Sequence, residues 1–353
     1  MTEHSHSPIW PGVPLALASA ALFGAAMPLS KVLLGSVDPQ ILAGLLYLGA
    51  GIGLWLVHAG RFVIGLPAAE APLRQTDMPW LAAIILFGGV LGPLLLMLGL
   101  NQTDAASGSL LLNLEGIATM AIAWLVFKEN VDPRLILGAA AIILGVMVLS
   151  YEGQSVALNI GAALIVGACL SWGIDNNLTR KLSASDPVLI AMTKGLAAGV
   201  VNLGIGLARG ETLPAMSVTG VAALVGFVGI GVSLVLFVLA LRHMGTARTG
   251  AYYSLAPFIG AMISIAFLGE APTLKLIVAA ILMAIGLWLH LTERHHHDHG
   301  HGDLEHEHAH IHDAHHQHTH EGPVAEPHSH VHSHRDMRHS HAHYPDLHHR
   351  HGH

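Results

Sequence analysis

Ten apolar stretches punctuate the chain, each followed by a short polar or glycine-rich break. By pattern and flanking residues they run 13–34, 40–58, 79–100, 104–127, 135–151, 158–182, 187–208, 218–241, 246–268 and 273–291. Most hold roughly 18–22 residues, enough for a helix to cross a hydrocarbon core about 30 Å thick. Trp10, Trp55, Trp80 and Trp288 fall near predicted ends, where amphipathic rings favour the headgroup level. Small residues recur four apart in Gly49/Gly53, Gly88/Gly92 and Gly195/Gly199, a spacing that lets helices approach closely. The pattern predicts an all-α membrane protein of about ten transmembrane helices.

Composition agrees and adds a boundary. Across 353 residues, 52% are hydrophobic and only 11% charged, against roughly 25% charged in soluble domains. Cys169 is the single cysteine, so an intrachain disulfide is excluded. Nothing basic precedes the first apolar stretch, which reads as a retained helix and not a cleaved signal peptide. With the N-terminus cytoplasmic, Arg61, Arg74, Lys128, Arg134, Arg180, Lys181, Arg242, Arg248 and Arg294 lie inside. Lys31, Arg209 and Lys275 then lie outside, and this bias places both termini in the cytoplasm of a cell (inner) membrane protein.

The chain also repeats itself. Phe23-Gly24, Lys31 and Asp38-Pro39 are echoed by Trp172-Gly173, Arg180 and Asp186-Pro187. Leu100 through Glu129 lies over Leu241 through Glu270, which sets Gly88 over Gly229 and Leu114 over Leu255. Five helices per half is an odd number, so the second half enters the membrane inverted. The expected organisation is a short N-terminus (1–12), a first repeat (13–151), a second repeat (158–291) and a tail (292–353).

The segments LLLNLEGIATMAIAWLVFKENVDPR (110–134) and AYYSLAPFIGAMISIAFLGE (251–270) resemble the two EamA repeats of the drug/metabolite transporter superfamily. The resemblance extends from 13 to 291. Glu115-Gly116 departs from the family's usual Glu-Pro, and the second repeat has Ala256-Pro257, so the acid survives once. The resemblance implies two inverted five-helix repeats, export or exchange of small solutes, and no nucleotide hydrolysis. No phosphate-cradling glycine loop ending in Lys-Ser/Thr appears either.

Charge at bilayer depth is costly, which draws attention to Glu115, Asp175 and Lys194. Glu115 lies eleven residues into the fourth span, roughly 16 Å deep. Asp175 and Lys194 flank the turn near position 184 at similar distances, so antiparallel neighbours would hold them at one depth. The expectation is that these two pair while Glu115 stays the titratable, cation- or proton-coupled carboxylate near the midplane. Asn113, Asn176, Asn177, Asn202, Tyr252 and Tyr253 are further candidates for the same cavity, with ordinary interhelical hydrogen bonding as the alternative.

Of the 29 histidines, all but His4, His6, His58, His243 and His290 crowd into the tail. This composition predicts a disordered segment. His306, His308, His310, His312, His328, His330, His332 and His334 stand two apart in two runs, donors that suit Zn, Ni, Cu or Co collectively. His306-Glu307-His308-Ala309-His310 also fits a zinc-protease pattern, which needs a folded helix and a third ligand; in such a tract the match is chance.

The resulting expectation is a secondary transporter of the drug/metabolite class, exporting or exchanging a small organic solute coupled to protons. One alternative is efflux of divalent Ni, Co, Zn or Cu, with the tail as loader or sensor. Another is a membrane-anchored metal-buffering or sensing protein. No nucleophile–base constellation suggests an enzyme. No cofactor is required, a divalent transition metal on the tail aside. The expected partners are the lipid bilayer and a small-molecule or ion substrate, with no nucleic acid and a homodimer compatible.

Overall fold

The computed structural model describes residues 12–64, 73–127, 133–149, 160–182, 185–292, 298–301, 304–310, 328–334 and 337–340. Ten helical segments follow the hydrophobic pattern: α1 (Gly12–Leu33), α2 (Pro39–Val63), α3 (Gln75–Asn101) and α4 (Ala105–Leu111 and Leu114–Phe127). Then come α5 (Pro133–Leu149), α6 (Ile160–Leu182) and α7 (Pro187–Ala208). α8 runs through Met216–Val225, Gly226–Val232 and Ser233–Tyr253, and α9 (Ala256–Leu268) and α10 (Leu274–Leu291) complete the set. Six runs are long and apolar enough to cross a membrane by themselves: α1, α2, α3, Ala105–Val126, α7 and Met216–Leu241. α5, α9 and α10 are shorter apolar helices, and α6 has 23 residues with a polar final third.

The predicted break at 242–245 is helical, since Ser233–Tyr253 is one continuous assignment. The chain nevertheless reverses there. The rings of Phe237 and Tyr253 lie 4.8 Å apart, whereas sixteen residues of straight helix would separate them by about 24 Å. Two spans are therefore present, with the reversal falling between Phe237 and Tyr253.

The repeated Asp-Pro pairs open α2 and α7. Asp186 accepts from Val188 N at 2.8 Å, and proline stands where a helix leaves its first N–H unused. Those two helices pack at the centre through small residues. A Cβ on Gly195 would lie 2.6 Å from Gly51 N, and one on Gly199 2.5 Å from Leu48 N. The repeats also mirror one another in contact. A Cβ on Gly24 would strike Ala256 and Ile259, and a Cβ on its counterpart Gly173 would strike Ala118 and Thr119. Buried leucines and isoleucines, among them Leu42, Leu46, Leu96, Leu100 and Ile165, fill the space between.

Both repeats carry a feature absent from the sequence expectation. Ile85–Leu91 and Gly226–Val232 are π-helical turns, and the alignment laying Leu100 over Leu241 superposes them residue for residue. Such turns free main-chain carbonyls inside a helix. In α3 the Gly92 N–H reaches the Phe87 carbonyl, and in that register Pro93 has no N–H to offer Gly88, whose carbonyl needs other donors.

Short paired strands are described within the tail. Strands β1 (Asp298–His301) and β4 (Met337–Ser340) pair antiparallel, as do β2 (Leu304–His310) and β3 (His328–His334). Alternation of histidine with small or apolar residues has the period of a strand. His312 lies outside the described residues.

Candidate functional site

The charged residues gather where α4 of the first repeat meets α6 and α7 of the second. α4 is broken at Leu112 and Asn113, and Glu115 occupies the first turn of the piece that follows. From there its Oε1 accepts from Asn176 Nδ2 at 2.8 Å. The same amide reaches Thr119 Oγ1 at 3.2 Å, and Thr119 Oγ1 donates to the Glu115 carbonyl at 2.9 Å. Glu115, Thr119 and Asn176 are half-buried, whereas Asp175 and Asn177 are buried.

Asp175 and Lys194, expected at one depth, form an ion pair with Nζ 2.5 Å from Oδ2. Both are at most 4% exposed. Thr179, one turn on, donates to Asp175 Oδ1 at 3.3 Å. At bilayer depth a lone charge is expensive, so pairing is what lets either residue be there. The π turn of α3 makes room. A Cβ on Gly88 would lie 2.1 Å from Asp175 Cγ. Its freed carbonyl accepts from Tyr47 Oη at 2.8 Å and Trp172 Nε1 at 3.1 Å. The adjacent Gly89 carbonyl accepts from Asn202 Nδ2 at 3.2 Å.

The other candidates divide. Asn177 is structural in position: Nδ2 donates to the carbonyls of Thr119 and Gly173, tying α6 to α4. Asn113 turns away toward α10, donating to the Leu110 carbonyl at 2.9 Å and Met283 Sδ at 3.6 Å. Tyr252 packs near Ala16 and Ala240, apart from the charges. Tyr253 stacks on Phe23 at 5.4 Å, and Phe23 on Trp172 at 5.9 Å, forming an aromatic wall beside the carboxylates. Sequence reasoning missed Thr119, Thr179, Trp172 and Tyr47 as members. Thr119 and Thr179 each follow an acid by one helical turn, a signal that was available. No three His, Cys, Asp or Glu side chains come together as a metal site among the described residues.

Ionisable groups at the interface of two inverted repeats, beside broken helices, define the layout of a membrane transporter. The chain belongs to the EamA-like transporter family, whose model matches residues 10–151 and 159–292. It is similar to an uncharacterised transporter of Methanothermobacter thermautotrophicus, 28% identical, covering 77% of this chain and 84% of that one. It also resembles a probable amino-acid metabolite efflux pump of Salmonella typhimurium, 26% identical, over 53% and 67% of the two chains. A solved crystal structure aligns with a TM-score of 0.60 at 16% identity, covering 79% of this chain and 95% of the other. That likeness concerns the fold alone.

Proposed function

We infer that the protein exports or exchanges a small organic solute bearing an amine, in exchange for protons, with Glu115 as the coupling group. The observation that carries this reading is the half-buried carboxylate of Glu115, held by Asn176 at 2.8 Å beside a fully paired Asp175–Lys194. The ion pair is internally satisfied, which leaves Glu115 as the acid available to a visitor. A carboxylate accepts a proton or an ammonium group, but the two compete for the same oxygens. Competition at one site is sufficient for exchange, because release of one cargo is coupled to uptake of the other. Asn176 orients the carboxylate, and the Phe23–Tyr253 pair offers an apolar face to the rest of the solute. The Salmonella relative's name supports amino-acid metabolites as the class to try first.

The test is efflux from cells loaded with a panel of labelled amino acids and amines, with and without the protein, across a range of external pH. The expected result is faster, pH-dependent export of at least one compound, reduced about tenfold or more in Glu115→Gln. Export that keeps its rate and pH profile in Glu115→Gln would remove the coupling role.

The register of the tail supports a second reading, divalent metal efflux. β2 and β3 set His306 opposite His332, His308 opposite His330 and His310 opposite His328. Directly opposed residues have Cα atoms about 4.5–5.5 Å apart, and imidazole suits Ni, Co, Zn and Cu. Growth under graded amounts of those metals, with full-length protein and with residues 293–353 deleted, separates the two. Protection requiring both tail and Glu115 selects metal efflux; no metal response leaves the organic solute.

A further inference from the structure

Away from the charged corner, the end of α7 and the start of α2 bring two side chains over Gly206, each with a buried oxygen that accepts no hydrogen bond. Gln40 is 2% exposed, and its Nε2 donates to Asn202 Oδ1 at 3.0 Å. That bond turns Gln40 Oε1 away, and Oε1 is buried without a partner. Glu211 follows the last turn of α7, where Gly210 at φ 86° reverses the chain and Glu211 N donates to the Gly206 carbonyl at 3.1 Å. Its Oε2 is likewise buried without a partner. Both side chains close over Gly206: a Cβ there would lie 2.9 Å from Glu211 Oε2 and 3.2 Å from Gln40 Cγ.

Every local term points to a missing positive charge. A carboxylate beside a helix C-terminus faces the negative end of the helix dipole, an unfavourable placement by itself. A buried acceptor without a donor is destabilising, and both side chains over Gly206 carry one. The neighbouring cation on the chain, Arg209, is exposed. Hard oxygen donors with one net negative charge suit a monovalent cation, and helix C-terminal ends in transporters serve this purpose.

We propose that Glu211, Gln40 and the last turn of α7 form a binding site for a monovalent alkali cation, with sodium as the expected ion. Asn202 is a positioning residue, since it fixes the direction of the Gln40 amide. It also bonds the Gly89 carbonyl of the π turn, and it lies about 12 Å along α7 from Lys194. The site uses no atom of the Glu115 corner, so it stands or falls separately from the transport reading.

Purified full-length protein in detergent provides the test without any knowledge of the transported solute. Thermal unfolding is followed by tryptophan fluorescence in sodium, potassium or choline chloride at one pH and one ionic strength. Sodium at saturation is expected to raise Tm by about 3–6 °C over choline. A larger shift in potassium reassigns the ion and keeps the site. Glu211→Gln and Gln40→Leu are expected to erase the difference, as is Gly206→Ala, whose methyl would press on Glu211 Oε2 while keeping the carboxylate charge. Equal melting of the unaltered protein in all three salts overturns the proposal, as water filling the gap would give that result. So does a sodium shift that survives both Glu211→Gln and Gly206→Ala.

Discussion

Two corners of this molecule occupy equivalent places in the two repeats, yet only one is lined with charged side chains. The register of the repeats lays Glu115 over Ala256 and Thr119 over Gly260. It lays Asp175 over Ala26, Asn176 over Met27 and Lys194 over Leu46. Backbone geometry is shared: Gly88 packs on Asp175, and its counterpart Gly229 packs on Ala26, in matching π turns. Even the carbonyl donors are one-sided, for Tyr47 and Trp172 correspond to Gly195 and Phe23, whose side chains have no hydrogen to donate. The comparison teaches that the two repeats share one scaffold, while substitution left polar and charged side chains in one corner and hydrocarbon in the other.

The comparison breaks most violently at Lys194. Lys194→Ala leaves Asp175 buried and unpaired, a loss of about 3–5 kcal/mol. Leu46→Ala, at the equivalent position, costs about 2–5 kcal/mol through a cavity, so stability loss alone does not separate them. Rescue does. Asp175→Asn added to Lys194→Met is expected to restore most of the stability, because replacing a whole buried pair is nearly neutral. Melting temperatures of the single and double variants check this. A double variant no better than Lys194→Ala would mean that the pair is not the unit the geometry describes.

Next in size is the pair Gly88→Ala and Gly229→Ala. Both add a methyl where none fits, 2.1 Å from Asp175 Cγ and 2.6 Å from Ala26 Cβ. Overpacking of this kind costs about 1–3 kcal/mol in either case. Only the first displaces the ion pair. Efflux of a solute identified by the panel is therefore expected to fall several-fold more in Gly88→Ala than in Gly229→Ala, after correction for the amount of folded protein. Equal losses would show that the π turns matter for packing and not for the charged corner.

Much of this architecture could be read from the chain. Apolar length placed the ten segments, and the Asp-Pro and Gly echoes exposed the duplication. Asp175 and Lys194 were brought together by counting from one turn. The π turns were hidden because apolar periodicity does not distinguish a π turn from the α-helix on either side of it. The bend after Leu241 was misplaced as a loop because Gly245 and the flanking basic residues resemble one. Asn113 and Tyr252 went astray for a simpler reason. Depth along a helix was legible, but the face each side chain presents depends on packing that a single sequence does not encode.

The smallest effect concerns a tie between the repeats that lies beyond both corners. Glu270, at the end of α9, accepts from Ala105 N at 2.8 Å and Ala106 N at 2.7 Å, capping α4 of the other repeat. Asp104 already serves Ser107 N at 2.7 Å, so the helix start is doubly satisfied. An anionic cap facing helix N–H groups gains from the dipole as well as the hydrogen bonds. Glu270→Gln keeps one acceptor oxygen and removes the charge, so the expected loss is about 0.5–1 kcal/mol in thermal unfolding. By the repeat register Glu129 corresponds to Glu270 and lies outside the described residues. Glu129→Gln is expected to cost the same if the repeats share their caps as they share their π turns. A clear difference between the two variants would extend the asymmetry of the charged corner to the ends of the bundle.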